Sequence, residues 1–195
     1  MKSVLAIPFA ALVLASAAQA APISYFANLS GPNEFPPNAS PGTGYAQVTI
    51  DTVAHTLLVD VVFSGLLAGN TAAHIHCCTT TPFTATAGVA TTTPTFTGFP
   101  SGTTSGSYNH TFDLTLASSY RAAFITVEGG GTTAGAEAAL AAGMAAGRTY
   151  LNIHTTVFPG GEIRGFLEPV PEPATIIMAG AALLGLAALR RKQIV

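Results

Sequence analysis

Alternating apolar residues constrain the fold of this chain more than any other feature of its sequence. Leu57, Val59, Val61 and Phe63 occupy every second position of one short segment. Because successive side chains of a strand point to opposite faces, this spacing predicts a strand with one buried face. Aromatic and β-branched residues predict further strands at 45–50, 112–116, 122–127 and 150–154. Gly, Pro and Asn separate these segments, which favours an antiparallel sandwich or barrel over parallel βαβ units.

One segment has helical rather than strand periodicity. Residues 134–146 are rich in Ala, and Glu137, Leu140 and Met144 are spaced as on one side of a helix. Gly147 is a suitable residue to end that helix. We therefore predict a single helix across one end of the sheets, with Leu140 and Met144 buried beneath it.

The low content of charged residues excludes one large class of function. Only 8% of the 195 residues are charged, and the 7 basic residues include Lys2 and the cluster 190–192 at the two ends. The middle of the chain therefore has too few cations to form the basic surface that binds a phosphate backbone. We predict that this protein does not bind nucleic acid.

The segment 79–104 contains no charged residue and is dominated by Thr and Pro. Its composition leaves two interpretations open, a long surface loop or an excursion of Thr-rich strands. True disorder fits this segment less well, because disordered segments are usually charged.

The first 20 residues have the layout of a secretory signal. Lys2 precedes an uncharged apolar run over 4–18, and Ala18 and Ala20 are small residues at the positions that a signal peptidase reads. The apolar run is shorter than the ~20 residues that a membrane span normally needs. We therefore expect a signal peptide over 1–20, cleaved after Ala20 by a signal peptidase, and a β domain over 21–168.

Residues 170–195 contain three parts in a fixed order. The motif Pro171-Glu172-Pro173 precedes an apolar run over 174–189 and the basic cluster 190–192. As a helix the run would span about 24 Å, near the ~30 Å of a hydrocarbon core. Basic residues mark the cytoplasmic side, which places the β domain outside, and a plain tail anchor predicts the same orientation.

This order of parts resembles the PEP-CTERM sorting signal of exopolysaccharide-producing bacteria. The resemblance implies an exosortase that cleaves near the Pro-Glu-Pro motif, and a membrane helix that anchors the chain only until that step. It also implies a final location at the cell envelope, the cell surface or the extracellular matrix.

The motif His74-Ile75-His76 is the clearest polar constellation of the β domain. On a strand, His74 and His76 would project from the same face while Ile75 enters the core. His154 would lie on the outward face of the strand predicted at 150–154. If the two strands are neighbours, the three imidazoles could converge on one copper or zinc ion. The alternative is that these histidines only form hydrogen bonds with their neighbours.

Cys77 and Cys78 follow that motif directly and are the only 2 cysteines of the chain. A disulfide between neighbours in sequence closes an eight-membered ring and usually needs a distorted peptide. The alternatives are soft ligands for the same metal ion or a redox-sensitive pair.

The remaining motifs point away from enzymatic chemistry. The turn 129–134 matches G-x-G-x-x-A by spacing, but the chain around it lacks the parallel βαβ unit and the ribose-binding acid of a dinucleotide site. No G-x-S-x-G elbow is present. Glu162 and Arg164 lie two positions apart and would share a strand face, which predicts a structural ion pair.

Ordered blocks of sequence between about 25 and 167 resemble the CHRD domain, which is named after chordin. The blocks are FANLSG at 26–31, NEFPP at 33–37, GYA at 44–46, AHIH at 73–76, YLNIHT at 150–155 and GGEIRG at 160–165. The resemblance implies an extracellular β-sandwich with a role in interactions and brings no family-wide enzymatic activity. Both histidine blocks belong to the pattern, whereas Cys77 and Cys78 and the Thr-rich segment depart from its commoner bacterial form, in which a Gly tends to follow the second His.

These observations together predict an antiparallel Greek-key or immunoglobulin-like β-sandwich with one Ala-rich helix, between two terminal hydrophobic targeting helices. We expect an exported, non-enzymatic module that binds an unknown extracellular protein or polysaccharide. The second hypothesis is a copper- or zinc-binding domain that uses His74, His76 and His154, with Cys77 or Cys78 as a further ligand. A metal-dependent redox enzyme ranks third, because no charged channel or catalytic Arg accompanies the histidine pair.

Overall fold

The computed structural model describes residues 21–170. The predicted signal peptide, the motif Pro171-Glu172-Pro173 and the predicted helix at 174–189 lie outside the described residues. The described chain is mainly β, as expected, and its strands are β1 Ile23–Ser30, β2 Thr43–Asp51, β3 Thr56–Ser64, β4 Asn70–Cys77, β5 Gly106–Asp113, β6 Thr149–Thr155, β7 Ile163–Phe166 and β8 Glu168–Pro169. Two α-helices, α1 Ala122–Val127 and α2 Thr133–Ala145, lie between β5 and β6.

The strands form one antiparallel sheet in the order β4-β6-β7-β1-β2-β3-β5, with β8 paired to β1. Strands β1, β2 and β3 are a meander, and β6 and β7 are neighbours in sequence and in space. Strand β4 crosses to the far edge of the sheet and pairs with β6. The inward faces of both ends of the sheet share a single apolar core, so the sheet curls on itself in the manner of a β-sandwich.

The alternation at 57–63 corresponds to the inward face of β3. Leu57, Val59 and Val61 are fully buried and Phe63 is nearly so. These residues pair along β3 with β2 on one side and β5 on the other, which makes β3 a central strand. The strand predicted from this alternation is confirmed.

The Thr-rich segment covers the outer edge of β4. The backbone N–H groups of Ile75 and Ala73 donate to the side-chain oxygens of Thr91 and Thr95, each at 3.0 Å. The N–H of Phe96 donates to the carbonyl of Ala73 at 3.0 Å. An open strand edge invites pairing with other chains, and these bonds close it without adding a regular strand.

Residues 122–127 form helix α1, so the strand predicted there is wrong, and the described chain has two α-helices instead of one. Ala122, Phe124 and Thr126 alternate as in a strand, but only Phe124 is buried. The segment has no neighbouring strand and satisfies its backbone locally, with the N–H of Glu128 donating to Phe124 at 3.0 Å. Local hydrogen bonding therefore outweighs the alternation.

The strand predicted at 112–116 ends earlier than expected. Strand β5 stops at Asp113, whose carboxylate accepts from the backbone N–H of Thr115 at 2.8 Å and from its hydroxyl at 2.6 Å. Such a side-chain bond two residues onward starts a turn and competes with the continuation of a strand.

Helix α2 agrees with the Ala-rich pattern. Thr132 caps it by accepting from the N–H of Gly135 at 3.0 Å, and Gly147 follows its end with φ 65°. Leu140 and Met144 are fully buried against the core, as predicted. Over residues 21–170, no helix is long and apolar enough to cross a membrane.

Candidate metal centre

The predicted metal ligands lie on the outward face of β4 and β6. His74 pairs in register with Asn152, and two residues further along the same strand pair Ala72 is the partner of His154. Ile75 points the other way and is fully buried in the core. The period of two in each strand therefore places all three imidazoles on one face, as the sequence predicts.

The three imidazoles converge. His74, His76 and His154 each offer one ring nitrogen, and these nitrogens lie within 4.8 Å of one another. The ring of His74 is centred 5.3 Å from that of His154 and 5.9 Å from that of His76. Zinc–nitrogen bonds are about 2.0–2.1 Å, so nitrogens on one ion lie about 3–4 Å apart. Small rotations of the rings would bring these atoms to bonding distance of a common ion.

Each imidazole is held by a backbone carbonyl that bonds one of its two ring nitrogens. The bonds join Nε2 of His74 to Pro94 O at 2.5 Å, Nδ1 of His76 to Ala87 O at 2.9 Å, and Nδ1 of His154 to Pro159 O at 3.0 Å. A carbonyl oxygen only accepts, so each of these nitrogens carries the hydrogen of its neutral ring. Backbone carbonyls commonly orient metal-binding histidines in this way.

The opposite nitrogen of each ring has a free lone pair. Nδ1 of His74, Nε2 of His76 and Nε2 of His154 are buried, and no hydrogen-bond partner reaches them within residues 21–170. A buried polar atom without a partner is costly to a fold. Three such lone pairs on three neighbouring rings fit a metal ion, which accepts electron pairs and would satisfy all three at once.

The electrostatic environment keeps the rings neutral. Burial, with a smaller contribution from the neighbouring His154, lowers the pKa of His74 and of His76 to about 4 each, against the opposing effect of the carbonyl bonds. Burial also lowers the pKa of His154. Neutral imidazole is the form that binds a metal ion, so at neutral pH all three rings have the required protonation state.

An aromatic stack fixes His76 from the side. The ring of Tyr150 lies 4.7 Å from that of His76 with an interplanar angle of 6°, and the Arg164 guanidinium lies 4.7 Å from the centre of the Tyr150 ring. The hydroxyl of Tyr150 accepts from the N–H of Ala87 at 3.3 Å, and the carbonyl of Ala87 orients His76. Tyr150 therefore supports His76 both by stacking and through the backbone of Ala87.

The cysteines do not join this cluster. Cys77 and Cys78 form a disulfide with each other, across a cis peptide bond. Cys77 lies on the core side of β4, where the two sulfur atoms approach Gly143 of α2 and the Thr149 hydroxyl lies 3.4 Å from Cys77 Sγ. Of the ligands predicted from the sequence, the structure brings together the three histidines and keeps the sulfur atoms on the other face.

The predicted ion pair between Glu162 and Arg164 is wrong. Glu162 precedes β7, and its carboxylate accepts from the Ser40 hydroxyl at 2.6 Å, the Thr155 hydroxyl at 2.6 Å and the Leu67 N–H at 2.7 Å. Strand β7 begins only at Ile163, so the two side chains do not share a strand face.

Arg164 instead lies 3.9 Å from the carboxylate of Glu34. Sequence reasoning missed Glu34 as a functional candidate. Its only signal was membership of the block at 33–37, because no spacing rule connects residues so far apart in the chain.

Comparison with known proteins places these features in a family. The family model described as CHRD domain matches residues 25–167, and the model of the PEP-CTERM protein-sorting motif matches residues 169–192. No curated protein and no solved structure matches the chain significantly. The sorting motif indicates export and sorting to the cell envelope or surface, and it implies processing by an exosortase. Because the first match covers well over half of the chain, this protein belongs to the CHRD domain family.

Proposed function

We propose that this protein is an exported, non-enzymatic interaction module of the cell surface or matrix that binds one copper or zinc ion. His74, His76 and His154 are the proposed ligands. The observation that carries the metal proposal is the close approach of the three imidazoles, which each offer one ring nitrogen within 4.8 Å of the others. Each ring also has one buried nitrogen without a hydrogen-bond partner in the described chain.

The donor set favours copper or zinc. Neutral imidazole nitrogens suit both ions, whereas calcium and magnesium prefer oxygen ligands. Three protein ligands leave a tetrahedral ion one further position for water or an outside ligand. The role of the chain is to hold the rings in place, through the carbonyls of Pro94, Ala87 and Pro159.

Low exposure favours binding over turnover. His74 is 6% exposed and His76 is 8% exposed, so little of either ring is open to a substrate. An ion held there would join β4 to β6 and stabilise the outward face of the sheet, because it binds the folded state alone. A redox enzyme at this site would need an open approach to the ion.

Metal content tests the proposal directly. The exported protein is purified, loaded separately with copper and with zinc, dialysed and analysed for metal. We expect about one ion per chain for the original protein, and loss of that ion in the variant His74→Ala/His76→Ala. The matched control is His55→Ala/His110→Ala, which removes the two histidines outside the cluster and should retain the ion.

Two results would reject the metal proposal. One is the absence of bound metal in the original protein after loading with either ion. The other is equal metal content in the original protein and in the His74→Ala/His76→Ala variant.

Mass spectrometry of the exported protein tests the processing step that the sorting motif implies. Exosortase processing near the Pro171-Glu172-Pro173 motif should remove the residues after about Pro173. A mature protein with an intact C-terminus would contradict this processing step.

A further inference from the structure

A cleft of about 670 Å³ opens beside the candidate metal centre. The segment after β1, the Thr-rich segment and strand β7 form its walls, and Arg164 links it to the Tyr150–His76 stack. Pockets of about 300–1,000 Å³ commonly hold small organic ligands. The cleft is therefore large enough for a specific ligand that the metal centre does not account for.

Two exposed aromatic rings stand at this cleft. Phe35 is 57% exposed and Phe83 is 55% exposed, although both line the cleft. Phe166 forms part of the same wall, and its ring centre lies 6.1 Å from that of Phe83. Large aromatic side chains gain free energy when they are covered, so these rings favour a ligand with an apolar face.

The backbone holds Phe83 in an unusual conformation. Its φ is 58°, a left-handed value that non-glycine residues seldom adopt. Its N–H donates to the carbonyl of Gly147 at 2.8 Å, and its ring packs over Gly147, where a Cβ atom would collide with it. Backbone outliers of this kind are concentrated at functional sites. The chain thus holds a strained residue that presents an aromatic ring to the cleft.

Polar groups line the same cleft. Arg164 is 3% exposed, and its guanidinium donates to the carbonyls of Asn33 at 2.5 Å and Ala85 at 3.0 Å. A guanidinium has five N–H donors, so further donors remain for a ligand. Glu34 lies 3.9 Å from Arg164, and burial raises its pKa to about 7 against the opposing effect of Arg164. Its Oε1 has no partner among the residues that the structure describes.

The combination selects a class of ligand. A purely apolar ligand would offer no partner to the buried Oε1 of Glu34, nor to the N–H groups of Arg164 that do not bond Asn33 or Ala85. A strongly anionic ligand would meet the carboxylates of Glu34 and Glu168 in the same cleft. A neutral sugar ring has an apolar face for the phenyl rings, and its hydroxyl groups can donate to a carboxylate and accept from a guanidinium.

We propose that this cleft binds a neutral saccharide, namely one hexose unit of an extracellular polysaccharide. Phe35 and Phe83 contact the face of the sugar ring, and Glu34 and Arg164 bond its hydroxyl groups. This proposal specifies the class of ligand for the interaction role proposed above, and it rests on that role. It does not require that the metal ion be bound.

Affinity electrophoresis tests the proposal with the exported protein. Native gels contain increasing amounts of one neutral polysaccharide (dextran, galactomannan or xyloglucan), of anionic alginate, or of no polysaccharide. We expect at least one neutral polysaccharide to retard the original protein. The Phe35→Ala/Phe83→Ala variant should bind that polysaccharide about tenfold more weakly, which corresponds to about 1.4 kcal/mol, because two apolar surfaces that contact the sugar ring are removed.

Matched variants show whether weaker saccharide binding comes from the lost aromatic rings, from misfolding or from loss of the metal ion. Leu116→Ala/Val127→Ala removes two apolar side chains that are 52% and 74% exposed and do not line the cleft, and it should bind as the original protein does. The Phe35→Ala/Phe83→Ala variant should retain one metal ion per chain. Retained metal together with lost saccharide binding assigns the effect to the cleft.

Three outcomes would overturn the proposal. The first is that none of the three neutral polysaccharides retards the protein, whether or not alginate does. The second is equal retardation of the Phe35→Ala/Phe83→Ala variant, and the third is retention of a tryptic peptide mixture in place of polysaccharide. The last outcome would make the partner a protein and would leave the interaction role intact. The metal proposal is judged independently, by the metal content of the same preparations.

Discussion

The carbonyl oxygen of Pro94 lies 2.5 Å from Nε2 of His74. Pro94 belongs to the Thr-rich segment, whereas His74 belongs to strand β4. Ala87, in the same segment, accepts from His76 in the same way at 2.9 Å. A segment of low sequence complexity therefore sets which nitrogen of each strand histidine carries the hydrogen and which keeps its lone pair.

These bonds predict the tautomer of each ring in metal-free protein at pH 7. His74 should carry its hydrogen on Nε2, while His76 and His154 should carry theirs on Nδ1, because the carbonyls of Pro94, Ala87 and Pro159 only accept. Long-range proton–nitrogen NMR spectra distinguish the two tautomers. His55 and His110 lie outside the cluster and serve as internal references.

An Nε2–H tautomer at His76 or His154 would contradict this arrangement. So would a cationic ring at pH 7 for His74 or His76, because burial lowers the pKa of each to about 4. Either result would mean that the three neighbouring rings do not offer the lone pairs that a metal ion needs.

The arrangement of the histidines follows from local rules, which is why the sequence could predict it. The spacing of His74 and His76 places them on one face of any strand, and the alternation in 150–154 does the same for His154. Only the pairing of β4 with β6 is a long-range event, which the spacing of residues within each strand does not determine. The structure shows that pairing.

Other features depend on competition or on distant contacts, and local patterns could not reveal them. Phe124 lies in a segment with strand-like alternation that forms helix α1, since no neighbouring strand is available to it. Arg164 lies beside Glu34, whereas the i, i+2 rule pointed to Glu162. The Thr-rich segment carries no periodic signal, so its closure of the β4 edge becomes visible only when Thr91 and Thr95 are placed in space.

Because of Glu34, the free energy of unfolding should decrease as the pH rises from about 4.5 to about 7. Burial raises its pKa from an ordinary value of 4.5 to about 7, so between these values the folded state holds a proton that the unfolded state has released. The contribution of Glu34 is therefore fully present below about pH 4.5 and is lost as the pH rises through about 7. Relative to Glu34→Gln, the free energy of unfolding should fall by up to about 1.4 kcal/mol per pH unit in this window.

Urea unfolding at pH 5, 6, 7 and 8 measures this difference. Glu168→Gln is the matched control, because Glu168 lines the same cleft but is exposed, and its unfolding free energy should run parallel to that of the original protein. Parallel curves for Glu34→Gln and the original protein would show that Glu34 has no raised pKa.

Glu162 should be essential for stability rather than for binding. It is fully buried, and its carboxylate accepts from Ser40, Thr155 and the backbone of Leu67. Glu162→Ala removes the acceptor of three buried donors and should lower the free energy of unfolding by about 3 kcal/mol or more. Chemical unfolding measures the change, with exposed Glu128→Ala as the control. A loss below about 1 kcal/mol would show that water replaces the carboxylate at little cost.

Gly147 connects the stability of the fold to the geometry of the cleft. Its φ is 65°, and a Cβ atom at this position would meet the ring of Phe83 within contact distance. Gly147→Ala should therefore destabilise the protein by about 1–3 kcal/mol and move Phe83 away from the cleft, weakening the saccharide binding proposed above. Gly160→Ala is the matched control, because no atom lies within 4 Å of its added Cβ, and its effect should stay within about 0.5 kcal/mol. Thermal or urea unfolding gives the stability, and affinity electrophoresis gives the binding. If Gly147→Ala and Gly160→Ala prove equal in both measurements, the packing of Phe83 over Gly147 neither stabilises the fold nor positions the ring.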